Sequence, residues 1–356
     1  MCNIKSYLLA IFIVATGLTQ AQTVVGYSQS VPIEIRPQGI ITAVSSSTAI
    51  HIGSLGNAIS AISQPVAIDI PESVIHQRPK KGKPKTNISG QVDVNKNIPS
   101  INVSSPNTLV LIIGNEDYAS KQTGLDNEVN VAFATDDARI LKQYMTKTLG
   151  VPERNIQLLT NAGLVDMKRA INKLKLLIKN YRGKANVVVY YAGHGLPHES
   201  TREPYLIPVD VSANDLNMAI KLNDLYADLT AFPSQKVVVF LDACFSGGAR
   251  EQGLLAARGV KIKPREEQIQ GKLVVFAATS GNQSALPYKE KQHGLFTYFL
   301  LKALQDNKGQ INLGDLSEYL IKEVGIQSLI INSREQNPTV NKSPSVKNEW
   351  YNWMLY

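Results

Sequence analysis

The sequence predicts an α/β protein built on a mostly parallel central sheet with helices on both faces. Three observations lead there. Apolar, largely β-branched runs recur along the chain, among them LVLIIG, VVVYYA, VVVFLDA and KLVVFAATS. Between them lie segments whose apolar residues repeat at helical spacing. The runs also lack in–out alternation, which marks strands buried on both faces, the habit of parallel sheets.

Taken in order, NTLVLIIG ends in Gly114 and reads as the first buried strand. From Asn130 to Leu149, the residues Val131, Phe133, Ala134, Ala138, Leu141, Tyr144 and Met145 follow a helical period, stopped by Gly150-Val151-Pro152. Asn155 to Thr160 is a short strand. Val165 to Tyr181 is an amphipathic helix with Ile171, Leu174, Leu177 and Ile178 on one face. VVVYYA, a short YLIPVD segment, a helix near Leu222 to Leu229, VVVFLDA, KLVVFAATS and a helix from Leu295 to Leu304 complete the alternation. In such sheets, sites form beyond the carboxyl ends of the strands.

The amino-terminal part is organised differently. Lys5 followed by an apolar core from Tyr7 to Leu18 reads as a signal peptide over residues 1–21, with Thr19-Gln20-Ala21 offering small residues for cleavage. Its apolar core is too short for a stable membrane anchor, and no later segment qualifies. The expectation is an exported protein, periplasmic or extracellular, with no stable membrane anchor once the signal is removed. Residues 22–71 are rich in Ser, Thr, Ile, Val and Gly, with alternating runs such as VPIEI and QPVAIDI, a β-rich prosegment or appendage. Residues 72–106 are polar, basic and proline-containing, a linker. The main domain is expected over 107–356.

Net charge is +8, and losing Lys5 with the signal takes it to +7. Basic residues crowd Arg78 to Lys85 and Arg250 to Arg265. Neither cluster is interleaved with aromatic residues and no nucleic-acid motif accompanies them, so both read as solvated, protease-sensitive loops and no nucleic-acid partner is expected.

Two cysteines occur, and Cys2 leaves with the signal. A solitary thiol in an oxidising compartment has no disulfide to make, which favours a reactive role for Cys244. It lies at the end of VVVFLDACFSGG, while His194 lies at the end of VVVYYAGHG. A thiol with a pKa near ~8.5 is only a few per cent thiolate at neutral pH, so an adjacent imidazole base raises its reactivity. Gly193 and Gly195 allow a tight turn around the histidine, and a backbone N–H after it could stabilise an oxyanion. Asp242 precedes Cys244 by two residues and projects to the same face of its strand. A carboxylate there suits a cationic substrate group; the alternative duty is capping nearby backbone N–H groups. His51, His76, His198 and His293 show no metal-ligand spacing and read as ordinary surface or loop residues. Trp350 and Trp353 are expected to pack on the domain.

YYAGHG, LDACFSGG, the opening LVLIIGNEDY, the helix ATDDARIL and the later ATSGNQSA and GLFTYFLLKAL resemble the caspase and metacaspase clan of cysteine endopeptidases, family C14. The resemblance runs from about Leu109 to Val340. It implies a caspase-like three-layer α/β/α sandwich, a Cys244–His194 dyad, and the amide of Gly195 in the oxyanion hole. Metacaspases cut after Arg or Lys and carry pocket carboxylates at the positions of Asp137 and Asp242, so peptides or proteins with basic residues are the expected substrates. Ala192 departs from the small hydroxyl residue that some metacaspases carry two before the histidine. The chain is expected to be made as a zymogen, with self-cleavage at either basic loop. No cofactor is required by this chemistry. Calcium serves many relatives, but no EF-hand loop occurs here, and Asp210, Asp215, Asp224 and Asp228 are scattered acids that could bind it. Two other readings share these motifs: a catalytically silent binding or scaffold domain, and a transpeptidase using the same acyl-enzyme.

Overall fold

The computed structural model describes residues 93–356 apart from 126, 246–263, 266–268 and 282, together with two short strands nearer the amino terminus. The chain divides into two units, Met1–Asn87 and Ile88–Tyr356. In the first, β1 (Ile33–Ile35) and β2 (Ile41–Ala43) pair antiparallel, which places one strand of the expected β-rich segment inside VPIEI. The signal peptide, QPVAIDI and the basic loop at 78–85 lie outside the described residues.

The second unit holds β3 (Thr108–Gly114), α1 (Ala134–Lys147), β4 (Ile156–Thr160), α2 (Leu164–Asn180) and β5 (Asn186–Ala192). A hairpin follows, β6 (Gly195–Pro197) and β7 (Pro204–Leu206), extended by β8 (Ile220–Lys221). Then come α3 (Leu222–Thr230), β9 (Lys236–Asp242), β10 (Leu273–Ala277), the short β11 (Pro287–Tyr288) and β12 (His293–Gly294), α4 (Leu295–Asp306), α5 (Leu313–Asn332) and β13 (Thr339–Lys342).

The central sheet has the order β13-β10-β9-β5-β3-β4, parallel except for β13. Every residue of β3 is buried, and so are six of the seven in β5 and in β9, as continuous β-branched runs require. α1 packs on β3, β4 and β5 and against α4, which packs on α5, while α2 packs against α3. Close approach of α1 to the sheet depends on Gly114, because a Cβ there would meet the Ala134 carbonyl oxygen at 2.2 Å. From β4 the chain passes back across β3 to form β5, so the strand order reverses beside the carboxyl end of β3. Crevices at such reversals are where open α/β sheets place their sites.

The folded unit starts before residue 107. Val94 is fully buried, Tyr144 donates its hydroxyl to the Val94 carbonyl at 2.7 Å, and Thr148 donates to the Pro99 carbonyl at 2.6 Å. The linker expected over 72–106 is therefore shortened at its carboxyl end, since residues 93–106 pack on α1 and α4. Besides the short strands β6, β8, β11 and β12, the elements that went unforeseen are α5, which the Asn312 side chain caps by accepting the Asp315 N–H at 2.8 Å, and the exposed edge strand β13. Trp350 packs as expected, 5% exposed, with its ring centroid 6.4 Å from that of Phe276. Among the described residues no helix is long and apolar enough to cross a membrane.

Candidate active site

The register of β5 on β9 brings the two motifs together. Ala192 lies opposite Asp242, so His194 and Cys244 each stand two residues past the same rung of the sheet. The Gly193 N–H reaches the Asp242 carbonyl at 3.4 Å, which carries the pairing beyond the strand ends. A Cβ on Gly195 would lie 2.9 Å from the Cys244 carbonyl oxygen and 2.6 Å from the Phe245 ring. Only glycine permits the loop after the histidine to approach the cysteine so closely.

His194 is 5% exposed, and its Nε2 lies 2.5 Å from the Val129 carbonyl oxygen. A carbonyl only accepts, so Nε2 carries the proton in this arrangement. In the neutral ring that leaves Nδ1 with its lone pair as the basic nitrogen. The Tyr118 ring packs against the imidazole, with centroids 4.5 Å apart. Cys244 is 5% exposed; its sulfur accepts the Ala285 N–H at 2.7 Å and lies 3.8 Å from the Ala285 carbonyl oxygen.

Gly195 opens β6. His198 N–H donates to Glu203 and Ile207 N–H donates to His194, so residues 194 and 198 face β7 with their hydrogen-bonding edges. Antiparallel pairs alternate, and Gly195, opposite Leu206, therefore directs its N–H away from β7. That orientation suits an oxyanion donor.

The two candidate pocket acids are fully buried. Asp242 Oδ2 accepts from Thr297 Oγ1 at 2.6 Å, and Thr297 in turn receives the Tyr190 hydroxyl at 2.6 Å. Asp137 Oδ1 is 2.5 Å from His293 Nδ1, and Oδ2 accepts the Gly294 N–H at 3.0 Å. His293 Nε2 is 2.9 Å from Asn95 Oδ1. His293 is thus no surface residue, contrary to expectation; it is a buried partner of Asp137. One short stretch, 293–297, ties both acids to the start of α4.

The acids considered for calcium are dispersed. Asp210 accepts the Leu164 N–H at 2.9 Å at the start of α2, and Asp228 pairs with Lys175 at 2.6 Å. Among the described residues no group of three His, Cys, Asp or Glu side chains is arranged to hold a metal ion. Ser246 to Lys263, including most of the second basic loop, lies outside the described residues.

Sequence reasoning missed Val129, Tyr118, Tyr191, Thr297 and Ala285. Two of them act through backbone groups, which have no signature in side-chain identity. Tyr191 reads as an ordinary member of an apolar strand, and Tyr118 lies in the polar NEDY stretch past Gly114.

The family model of the caspase domain in peptidase family C14 matches residues 107–348. No curated protein matches the chain. Similar solved structures include protein GSU0716 from Geobacter sulfurreducens, 16% identical, with a TM-score of 0.48 over 70% of this chain and 98% of that one. Caspase-1 from Spodoptera frugiperda is 14% identical, with a TM-score of 0.45 over 69% of this chain and 91% of its own.

Proposed function

From the premise that this chain belongs to the caspase-domain family of peptidases, we propose that it is a cysteine endopeptidase working through Cys244 and His194. The observation that carries this reading is the shared rung of β5 and β9, with the imidazole's Nε2 committed to the Val129 carbonyl. His194 Nδ1 takes the thiol proton, and the sulfur attacks the scissile carbonyl carbon. The resulting oxyanion is met by the Gly195 N–H. His194 then returns its proton to the leaving amine as the C–N bond breaks. A water molecule, deprotonated by the same nitrogen, releases the acid product and restores the thiol.

We assign cleavage after Arg or Lys to Asp242, whose carboxylate stands two residues before the nucleophile. Asp137, bound to His293 and Gly294, supports the same pocket from behind. Both acids lack exposed surface in the described arrangement, so a basic side chain reaches Asp242 only as the surrounding chain gives way. Self-cleavage at the basic loops 78–85 and 250–265, export by the amino-terminal segment, and activity without a cofactor belong to the same proposal. The competing reading, a binding domain that does not hydrolyse, draws on the near-complete burial of Cys244 and His194.

The test is hydrolysis of Arg, Lys and Asp peptide libraries by wild type, Cys244→Ala and His194→Ala, with and without calcium. Wild-type cleavage after Arg or Lys that both substitutions abolish supports the assignment. A folded wild type that cleaves nothing after its basic loops are cut would favour the binding domain. Activity surviving Cys244→Ala would end the case for this nucleophile.

A further inference from the structure

The backbone on either side of the proposed base is held by two buried tyrosine hydroxyls. His194 stands opposite Ile207, one residue before β6 and one after β7. The Ile207 N–H donates to the His194 carbonyl at 3.0 Å, the first leg of an antiparallel pair. The return leg runs through a side chain. His194 N–H donates to the Tyr118 hydroxyl at 3.0 Å, and that hydroxyl donates to the Ile207 carbonyl at 2.9 Å. Tyr191, from β5, donates its hydroxyl to the His194 carbonyl at 2.7 Å and lies 3.1 Å from the Ile207 carbonyl oxygen. The two hydroxyl oxygens are 3.4 Å apart.

We propose that Tyr118 and Tyr191 are positioning residues for His194: the Tyr118 hydroxyl holds the N–H edge of the base off the Ile207 carbonyl, the Tyr191 hydroxyl braces its carbonyl, and together they fix where its imidazole points. The inference rests on the dyad assigned above. Four facts lead to it. Both backbone polar groups of His194 end on these hydroxyls, and both tyrosines are fully buried. The Tyr118 ring also packs on the imidazole itself. Gly193 leaves room for both hydroxyls, since a Cβ there would lie 2.6 Å from the Tyr191 hydroxyl oxygen and 3.0 Å from that of Tyr118. Burial raises both phenols, Tyr118 to about 12 and Tyr191 well above its ordinary value, so the hydroxyls keep their protons throughout the working range of a thiol–imidazole pair.

Loss of one hydroxyl lets the His194 peptide relax toward β7 while leaving the ring packing in place. Misplacement on the scale of 1 Å costs catalysis about a hundredfold. Tyr118→Phe and Tyr191→Phe are therefore expected to lower kcat on an Arg or Lys peptide by roughly ten- to a hundredfold, with KM within twofold. The double variant should be no worse than the poorer single one, because the pair acts as a unit. Tyr181→Phe is the control; its exposed hydroxyl reaches only the Pro106 carbonyl, at 3.4 Å.

A second readout does not depend on peptide hydrolysis. The pH dependence of Cys244 alkylation by iodoacetamide reports thiolate formation assisted by His194. In Tyr118→Phe its midpoint should move up toward the ~8.5 of an unassisted thiol, with unfolding temperature kept well above that of the assay. Wild-type kcat and an unmoved alkylation midpoint in both folded variants would overturn the proposal. If wild type does not hydrolyse peptides, the dyad's function fails, yet the alkylation comparison still decides whether the tyrosines aim the imidazole.

Discussion

Asp136 and Asp137 are adjacent in sequence, and the fold gives them opposite weights. The Asp136 side chain is 63% exposed and pairs with Arg139 at 3.0 Å, a contact typically worth 0–1 kcal/mol. The side chains of Asp137 and His293 have no exposed surface at all, with Nδ1 and Oδ1 2.5 Å apart. Stripping a buried hydrogen-bonded group of its partner costs about 3 kcal/mol, or more where the lost group is charged. Asp137→Asn keeps the shape of the side chain and an oxygen for the Gly294 N–H, but turns an NH2 toward His293 Nδ1, so it removes the acceptor of that contact together with the charge. For a body of this size, each kcal/mol moves the melting temperature by about 2–4 °C. Asp137→Asn should therefore lower it by about 6 °C or more, while Asp136→Asn moves it by about 4 °C or less.

The assay is calorimetric melting of both variants beside wild type, followed by Arg-peptide kinetics well below the lowest transition. A large melting shift with Arg KM nearly unchanged is the expected pairing, since both Asp137 oxygens are committed to His293 and Gly294. Equal melting temperatures for Asp136→Asn and Asp137→Asn would refute the reasoning. A raised Arg KM at unchanged stability would instead make Asp137 a direct contact of the substrate cation.

Two further outcomes follow from buried groups elsewhere. Gln336 accepts the Leu286 N–H at 2.8 Å and donates to the Ala278 carbonyl at 3.1 Å, fixing the stretch whose Ala285 N–H meets the sulfur. Gln336→Leu strands both groups, at about 1–3 kcal/mol each, and should speed Cys244 alkylation several-fold; an unchanged rate by mass spectrometry would show that this stretch does not cover the thiol. Burial lowers Lys236 from 10.5 to about 8 in the fold, so between about pH 8 and 10 the unfolded chain binds more protons and stability rises with pH. Denaturant melts at pH 7.5 and 9.5 should show that rise in wild type and lose it in Lys236→Met. Above pH 10 the trend reverses, because buried Tyr118 and half-buried Tyr319, both raised to about 12, keep protons that the unfolded chain releases.

What the sequence could disclose divides along physical lines. The interior strands were legible because a strand buried on both faces must be apolar without interruption; β3, β5 and β9 lie within a residue of their expected limits, and β10 stops three residues short of its expected end. Strand ends that carry Cys244 and His194 followed, since parallel sheets gather the carboxyl ends of their strands at one rim. α5 was obscure for the opposite reason. Its buried Leu313, Leu316, Leu320 and Val324 share the helix with exposed Ile321, Ile326, Leu329 and Ile330, so apolar residues surround it and no single face stands out. β13, with the polar sequence TVNK, lies at an exposed edge, where side-chain burial imposes no pattern.

The proposed site shows the same division within a few ångströms. Its reactive atoms belong to rare residues, a thiol and an imidazole in glycine-rich turns, and rarity made them visible. Their aim depends on common groups: the Val129 carbonyl, the Ala285 N–H and two tyrosine hydroxyls. A carbonyl has the same chemistry at every residue, so nothing at position 129 distinguishes it until the chain is folded. Tyr191 differs from the valines before it by a ring and a hydroxyl that a strand pattern counts as one more apolar side chain. Only the pairing of residue 194 with 207 turns that hydroxyl into a brace. Substitutions that spare the dyad can therefore still redirect it, and the tyrosine variants are the sharpest place to observe this.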